Sequence, residues 1–372
     1  MRIRKTNSLA VKPLMTFMVL LFSVALFSQN IFSQSDSSKS KIEFSGFVDT
    51  YFTYNFNKPL DRTSQIRVFD ASENQFNLAL AKLVIQKEAA PVGFKIDLAY
   101  GPTMAAVAGY YPDVPSLQNV EDAYITAVVP WGNGLTVNAG KLVTHMGAEV
   151  IETPGNINYS RSILFGWAIP FDHVGVSASY PFTDNFSGTL YLYNGWNIVN
   201  DNNTDKTFGA ELAYSPTSSL SLVFNYIGGA EMQNIFNKTQ VFEGILNYQI
   251  TDAFSLSVDY NYGQYSNTSN DVLIWSGVSG ILKYAFDDVN YIAGRGETYD
   301  DPDGFTTGMM QKLNEFTFTY NHNFTSDFFV RLEYRIDSSS PTYSFQHYFE
   351  DSSGGYTDDN QSTVLVGAVY SF

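Results

Sequence analysis

The chain alternates. From Phe254 onward, Phe254, Leu256, Val258, Tyr260 and Tyr262 are apolar or aromatic, and the residues between them, Ser255, Ser257, Asp259 and Asn261, are polar. The same pattern sets Phe242, Gly244, Leu246 and Tyr248 against Glu243 and Asn247. It also sets Phe328, Val330, Leu332, Tyr334 and Ile336 against Arg331, Glu333, Arg335 and Asp337. A period of two places each set on its own face of a β-strand. On segments of about ten residues it predicts strands that cross a membrane, with lipid on the apolar face and water on the polar one. A soluble sandwich also alternates, but with shorter strands and its apolar face turned inward.

The strands are punctuated regularly. Tyr180-x-x-Thr183-Asp184-x-Phe186 recurs as Tyr214-x-x-Thr217-Ser218-x-Leu220 and as Tyr248-x-x-Thr251-Asp252-x-Phe254, 34 residues apart both times, with a looser copy at Thr325-Ser326-x-Phe328. Turn residues with an aromatic on each side suit tight hairpins at a membrane surface. Tight turns are expected near Ala90, Trp131, Thr183, Thr217, Thr251, Phe286 and Thr325. Seven turns join fourteen strands; a first strand over about 42–56 and a last over about 361–372 bring the expectation to sixteen, with 14–18 compatible. Alternation is weakest over 74–88 and 272–297. Between the turns lie long, hydrophilic connections at about 57–73, 101–119, 144–169, 197–204, 229–238, 264–271, 298–312 and 338–360. Short turns on the periplasmic rim and long loops outside are the asymmetry of an outer-membrane barrel. Tyr180, Phe186, Tyr214, Tyr248 and Phe254 are the expected members of its aromatic girdles.

The ends extend this picture. Residues 1–34 read as a signal peptide, with Arg2, Arg4, Lys5 and Lys12 ahead of an apolar run from Leu14 to Phe27 and cleavage expected at about 28–35. A short linker over 35–41 and one barrel domain over 42–372 follow. Past the leader no apolar stretch reaches the ~20 residues of a transmembrane helix, so a membrane location requires a closed barrel. The last strand places Val364, Val366, Ala368, Tyr370 and Phe372 on one face. A closing strand with a terminal aromatic resembles the signal read by the barrel-assembly machinery of bacterial outer membranes.

Charge and cysteine narrow the function classes. The chain has no cysteine, which removes disulfides, thiolate metal sites and cysteine nucleophiles. Setting aside the four leader cations leaves 17 Lys+Arg against 37 Asp+Glu, a net charge of −20. Such acidity argues against a nucleic-acid partner. Thirty Phe, 25 Tyr and 4 Trp are far too many aromatics for a disordered acidic chain.

Three stretches resemble a known family. Glu149-Val-Ile-Glu152-Thr-Pro154-Gly-Asn156-Ile-Asn158-Tyr159-Ser160-Arg161-Ser162-Ile-Leu-Phe165, followed by Ala168-Ile-Pro170-Phe-Asp-His173-Val-Gly175, is similar to the OmpL-like β-barrel porin family. The opening Phe44-Ser-Gly46-Phe-Val-Asp49-Thr-Tyr51 and the stretch Val120-Glu121-Asp122-Ala123-Tyr124 resemble it too. The resemblance covers most of the chain after the leader and implies an outer-membrane porin-like protein with no assigned enzymatic activity.

The candidate functional residues fall in two groups. The loop at 144–169 is the longest and holds His145, Glu149, Glu152, Asn158, Tyr159 and Arg161. Its place as third long loop suggests that it folds into the barrel and narrows it, as in general porins, with Pro154 and Gly155 favouring a bend; the alternative is a loop packed over the mouth. The second group is the inward ionisable set of Glu43, Asp49, Lys95, Asp97, Asp122, Glu211, Glu243, Asp259, Arg331, Glu333 and Arg335. Eight acids against three bases lean toward cation preference.

Other chemistry is thinly represented. The acidic stretches Asp201 to Asp205 and Asp300-Asp301-Pro-Asp303-Gly304 are similar to calcium loops only in spacing and lack the ligand at position 12 of an EF-hand. No GxSxG, HExxH or phosphate loop occurs. His145, His173, His322 and His347 are scattered, and Ser160 has no sequence-local base.

The sequence therefore predicts an all-β, sixteen-stranded, transmembrane antiparallel barrel. Its expected function is a water-filled porin channel for passive diffusion of small hydrophilic solutes or ions, with 144–169 as constriction. No cofactor, metal or catalytic residue is expected, and a homo-oligomer is compatible with the pattern. A surface adhesin or receptor that binds through its long loops is the alternative, and a surface hydrolase stands third.

Overall fold

The computed structural model describes residues 41–108, 114, 117–233, 236–269, 271–342 and 347–372. The leader, almost all of the linker and part of the second long loop lie outside the described residues.

Strands form where the sequence alternates. They are β1 (Glu43–Asn55), β2 (Gln75–Lys87), β3 (Val92–Tyr100), β4 (Val120–Val129), β5 (Leu135–Val143), β6 (Asp172–Thr183), β7 (Phe186–Tyr193) and β8 (Thr207–Thr217). They continue as β9 (Leu220–Gly229), β10 (Lys238–Gln249), β11 (Phe254–Ser266), β12 (Val272–Ala285), β13 (Asn290–Asp301), β14 (Gln311–Asn323) and β15 (Phe328–Pro341). The short pair β16 (Phe349–Glu350) and β17 (Tyr356–Asp358) and the closing β18 (Asn360–Ser371) complete the set. One short helix, α1 (Pro102–Val107), starts the second loop.

β1 to β15 and β18 make a closed antiparallel barrel of sixteen strands, and β16 and β17 pair with each other inside the last loop. β18 closes the circle between β15 and β1, in register from Phe47↔Ser371 to Asn55↔Thr363. Closure leaves no unpaired edge among the barrel strands, the condition for backbone that sits in lipid. All seven tight turns lie where turn chemistry places them; in two of them Thr183 pairs Phe186 across Asp184-Asn185, and Thr217 pairs Leu220 across Ser218-Ser219.

The outer face carries the apolar rows. Phe224, Phe242, Tyr260, Phe316, Phe318, Leu332 and Val366 are all exposed on it. Aromatic pairs ring the turn rim, among them Phe186 with Tyr214, Phe254 with Tyr284 and Phe324 with Phe328. Such girdles sit where hydrocarbon meets headgroups.

The two weak stretches have separate causes. In β2 the register shifts beside the Asp49/Thr50 step of β1, so one face does not hold a single parity. In β12 and β13 the pairing is regular, but the faces are atypical. Gly280, Gly294 and Gly296 put no side chain on the lipid side, and Trp275 and Ile281 are apolar on the inner side.

Candidate functional site

The connection between β5 and β6 does not sit over the mouth; it runs inside the barrel. Backbone at that depth is sustainable only where protein satisfies its polar groups, and here the barrel wall does so. Glu333 on β15 accepts N–H groups from Tyr159 at 2.7 Å and Ser160 at 3.1 Å. Glu297 on β13 accepts from Ile163 at 2.7 Å and Leu164 at 2.6 Å. Glu243 on β10 accepts from Gly147 at 2.9 Å, and Asp259 on β11 from Ala148 at 3.4 Å.

The basic side chains take the carbonyls. Arg331 donates to Thr153 O at 3.0 Å and Asn158 O at 3.1 Å, Arg335 to Arg161 O at 2.6 Å and Arg295 to Ser160 O at 2.7 Å. Charge-assisted hydrogen bonds to a main chain are stronger than neutral ones. The loop is thus gripped along β9 to β15 and again by β1 and β2.

Each loop residue singled out by sequence has a defined place. The Tyr159 hydroxyl donates to Asp49 at 2.6 Å, and its ring lies over Gly367 of β18, where any Cβ would overlap the ring. Asn158 donates to Thr319 at 2.7 Å. Glu149 accepts from Ser162 N–H at 2.7 Å and from Arg295 at 2.8 Å. Arg161 braces the loop itself, donating to Tyr159 O at 2.6 Å, Val150 O at 3.3 Å and Ile151 O. His145 stacks on Tyr191 with centroids 4.1 Å apart and bonds Tyr226 O at 3.1 Å.

Glu152 joins a separate cluster. A bulge in β4 opposite the Asp97/Leu98 step of β3 turns both Glu121 and Asp122 inward. Lys82 of β2 then reaches Asp97 at 2.6 Å, Glu121 at 2.8 Å and Glu152, with Lys95 at 3.0 Å from Asp97 and 2.9 Å from Asp122. Burial by itself raises the Glu152 carboxyl; the Lys82 charge reverses this and holds it below its ordinary value. A carboxyl lowered by its partner contributes stability above its ordinary range and loses it as pH falls through the depressed value. Glu152→Gln is expected to free this side of the loop and make single-channel currents noisier at neutral pH, with Lys82→Met doing the same. Unchanged current noise in both variants would rule out the tether.

Of the eleven inward ionisable residues, Asp49, Glu243, Asp259, Arg331, Glu333 and Arg335 bond the loop directly. Lys95, Asp97 and Asp122 belong to the Lys82 cluster. Glu211 faces the lumen beside Tyr191, and Glu43 stands exposed at the turn rim near Gln86. Of the eight carboxylates that weighed toward cation preference, four therefore bond the loop and two more are paired in the Lys82 cluster.

Several partners were invisible in sequence. Arg295, fully buried, also meets Glu315 at 2.9 Å. Arg67 and Asp70 of the first long loop pair with each other, and Arg67 reaches Asp337 at 3.4 Å. The alternation Gly294, Arg295, Gly296, Glu297 was the signal available for β13. Lys82 lay in the weak stretch of β2, and Glu121 sat on the parity that only a bulge turns inward.

The mouth side of the loop is apolar, contrary to a uniformly polar lumen. Ile163, Leu164, Phe165, Ala168, Ile169 and Phe171 pack with Ile66 and Phe69 of the first loop and Met104 of α1 against Trp275 and Tyr299 of the wall. The Trp275 indole donates to Ala168 O at 3.1 Å. Nor are all the histidines scattered: His145 and His173 lie with ring centroids 6.3 Å apart at the base of the loop. The acidic stretch at 300–304 is no open ligand cage, because Asp301 accepts N–H groups from Phe305, Thr306 and Thr307 and Asp303 accepts from Ile274. In the other, Asp201 caps Asn203 N–H and pairs with Lys206.

Comparison with solved structures places the fold among porins. The anion-selective porin from Comamonas acidovorans superposes with a TM-score of 0.65 at 13% identity, over 90% of this chain and 100% of that one. The outer membrane channel DcaP of Acinetobacter baumannii gives 0.57 at 14%, over 91% and 99%. Salmonella typhi OmpF in complex with daunomycin gives 0.57 at 11%, over 90% and 98%. At such identities the likeness concerns the fold. A comparison with curated proteins found no match. The closed barrel with its outward apolar face is an outer-membrane architecture, and the family model described as "Putative beta-barrel porin-2, OmpL-like" matches residues 41–372, so the chain belongs to that porin family.

Proposed function

We propose that the chain works as an outer-membrane porin through which small hydrophilic solutes or ions diffuse passively, with loop 144–169 as its constriction. The observation that carries this reading is the loop's course inside the barrel, held by charged side chains of the wall. Sixteen strands enclose more space than side chains alone fill, and a loop fixed at mid-height sets what remains. No residue is assigned a catalytic role. The C-terminal strand ending in Phe372 serves insertion by the barrel-assembly machinery, and the exposed aromatic outer face meets lipid or a second copy.

The test is single-channel recording of the refolded chain in planar bilayers under a salt gradient. Steady current steps support the channel. A folded barrel, verified by its β-type circular dichroism, that gives no steps rejects it.

The second reading, a surface adhesin or receptor barrel, is favoured by one observation: the apolar packing of Phe69, Phe165, Phe171 and Trp275 in the mouth. Absence of steps would move this reading to the front.

A further inference from the structure

Beneath the loop, on the turn side, lies a cavity of about 340 Å³, within the range of small-molecule sites. Ser215 of β8, Ser219 of the following turn, Ser221 of β9, Asn247 of β10, and Ser255 and Ser257 of β11 supply its polar lining, and Ile157 of the loop, Leu220, Tyr248 and Leu256 supply apolar lining. The register makes this a built surface rather than a chance grouping. Asn247 stands between Ser221 and Ser257 on one rung of the ladder, and Gln249 pairs with Ser255 on the next.

Among the described residues no charged side chain lines the cavity. Charged side chains further along the surrounding strands are engaged elsewhere: Asp259 with Ala148 N–H, Glu243 with Gly147 N–H and Asn225, and the Lys283 ammonium with the face of Tyr291 at 4.4 Å. Glu211 sits further up β8 beside Tyr191.

Hydroxyl and carboxamide groups both donate and accept, which matches the hydroxyls of a polyol one for one. An ionic solute here finds no counter-charge and loses hydration without replacement. We propose that this cavity is a subsite for uncharged polyhydroxylated solutes of about monosaccharide size, and that it biases passage toward them and away from ions. The proposal rests on the channel reading and replaces the cation preference suggested by the count of inward acids.

The test uses the full chain in liposomes, with isotonic swelling in glucose, gluconate and glucosamine, three solutes of nearly equal size and different charge. Glucose is expected to enter several-fold faster than either ion. The Ser221→Asp, Ser257→Asp double variant should slow glucose and speed glucosamine. Gluconate or glucosamine matching glucose in the unaltered chain overturns the proposal. Failure of all three to enter removes the channel reading instead. Saturation-transfer NMR of glucose with the detergent-folded barrel then decides the subsite alone: transfer that disappears in Ser221→Val, Ser257→Val supports it, and no transfer to the unaltered chain overturns it.

Discussion

Excision of residues 150–161, closed by a short Gly-Ser link, is expected to raise single-channel conductance several-fold and leave the barrel folded. The segment removed includes Glu152, Thr153, Asn158, Tyr159 and Arg161, which reach Lys82, Asp49, Thr319 and the Phe69 ring. Glu333, Arg331 and Arg335 would lose main-chain partners but gain water, so they avoid the cost of an unpaired buried charge. Circular dichroism should keep its β signal because none of the deleted residues belongs to a barrel strand. An intact barrel whose conductance does not change would show that the loop does not limit flow.

Arg295→Met is expected to do the opposite kind of damage, to the fit of loop and wall together. The guanidinium is fully buried between Glu315 at 2.9 Å, Glu149 at 2.8 Å and Ser160 O at 2.7 Å. Removing it takes from Glu149 the cation it bonds and leaves Glu315 only Arg335 at 3.9 Å, a loss on the order of 3–5 kcal/mol for a broken buried pair. Two readouts separate the consequences. Denaturant unfolding reports the barrel, and trypsin cleavage at Arg161, buried in the unaltered chain, reports release of the loop. Adding Glu149→Gln and Glu315→Gln to Arg295→Met should recover part of the loss, because the two side chains that bonded the guanidinium are then uncharged. No change in unfolding midpoint or cleavage would mean that Arg295 does not anchor the loop.

Much of this was written into the sequence. Strand number and turn positions follow from local chemistry. A period of two has no helical alternative over ten residues, and Thr183-Asp184 or Thr217-Ser218 can make a turn without help from distant residues. Lumen-facing residues such as Asp49, Glu243 and Glu333 were readable for the same reason, since parity along a paired strand assigns a face. Parity failed at Glu121, where a bulge moves the residue across, and in β12, where Trp275 faces inward because it meets Ala168, a residue 107 positions away in sequence.

The sequence by itself therefore determined the barrel: its sixteen strands, its lipid face, its inward charges and the long loop that distinguishes it. What those charges do was decided only by tertiary structure. Period and composition report one strand at a time, whereas the pairing of Arg295 with Glu149, or of Lys82 with Glu152, joins elements roughly 146 and 70 residues apart through the interior. A side chain counted as lining water becomes a hydrogen-bond partner for loop backbone once closure brings the two within about 3 Å, and no local pattern carries that distance.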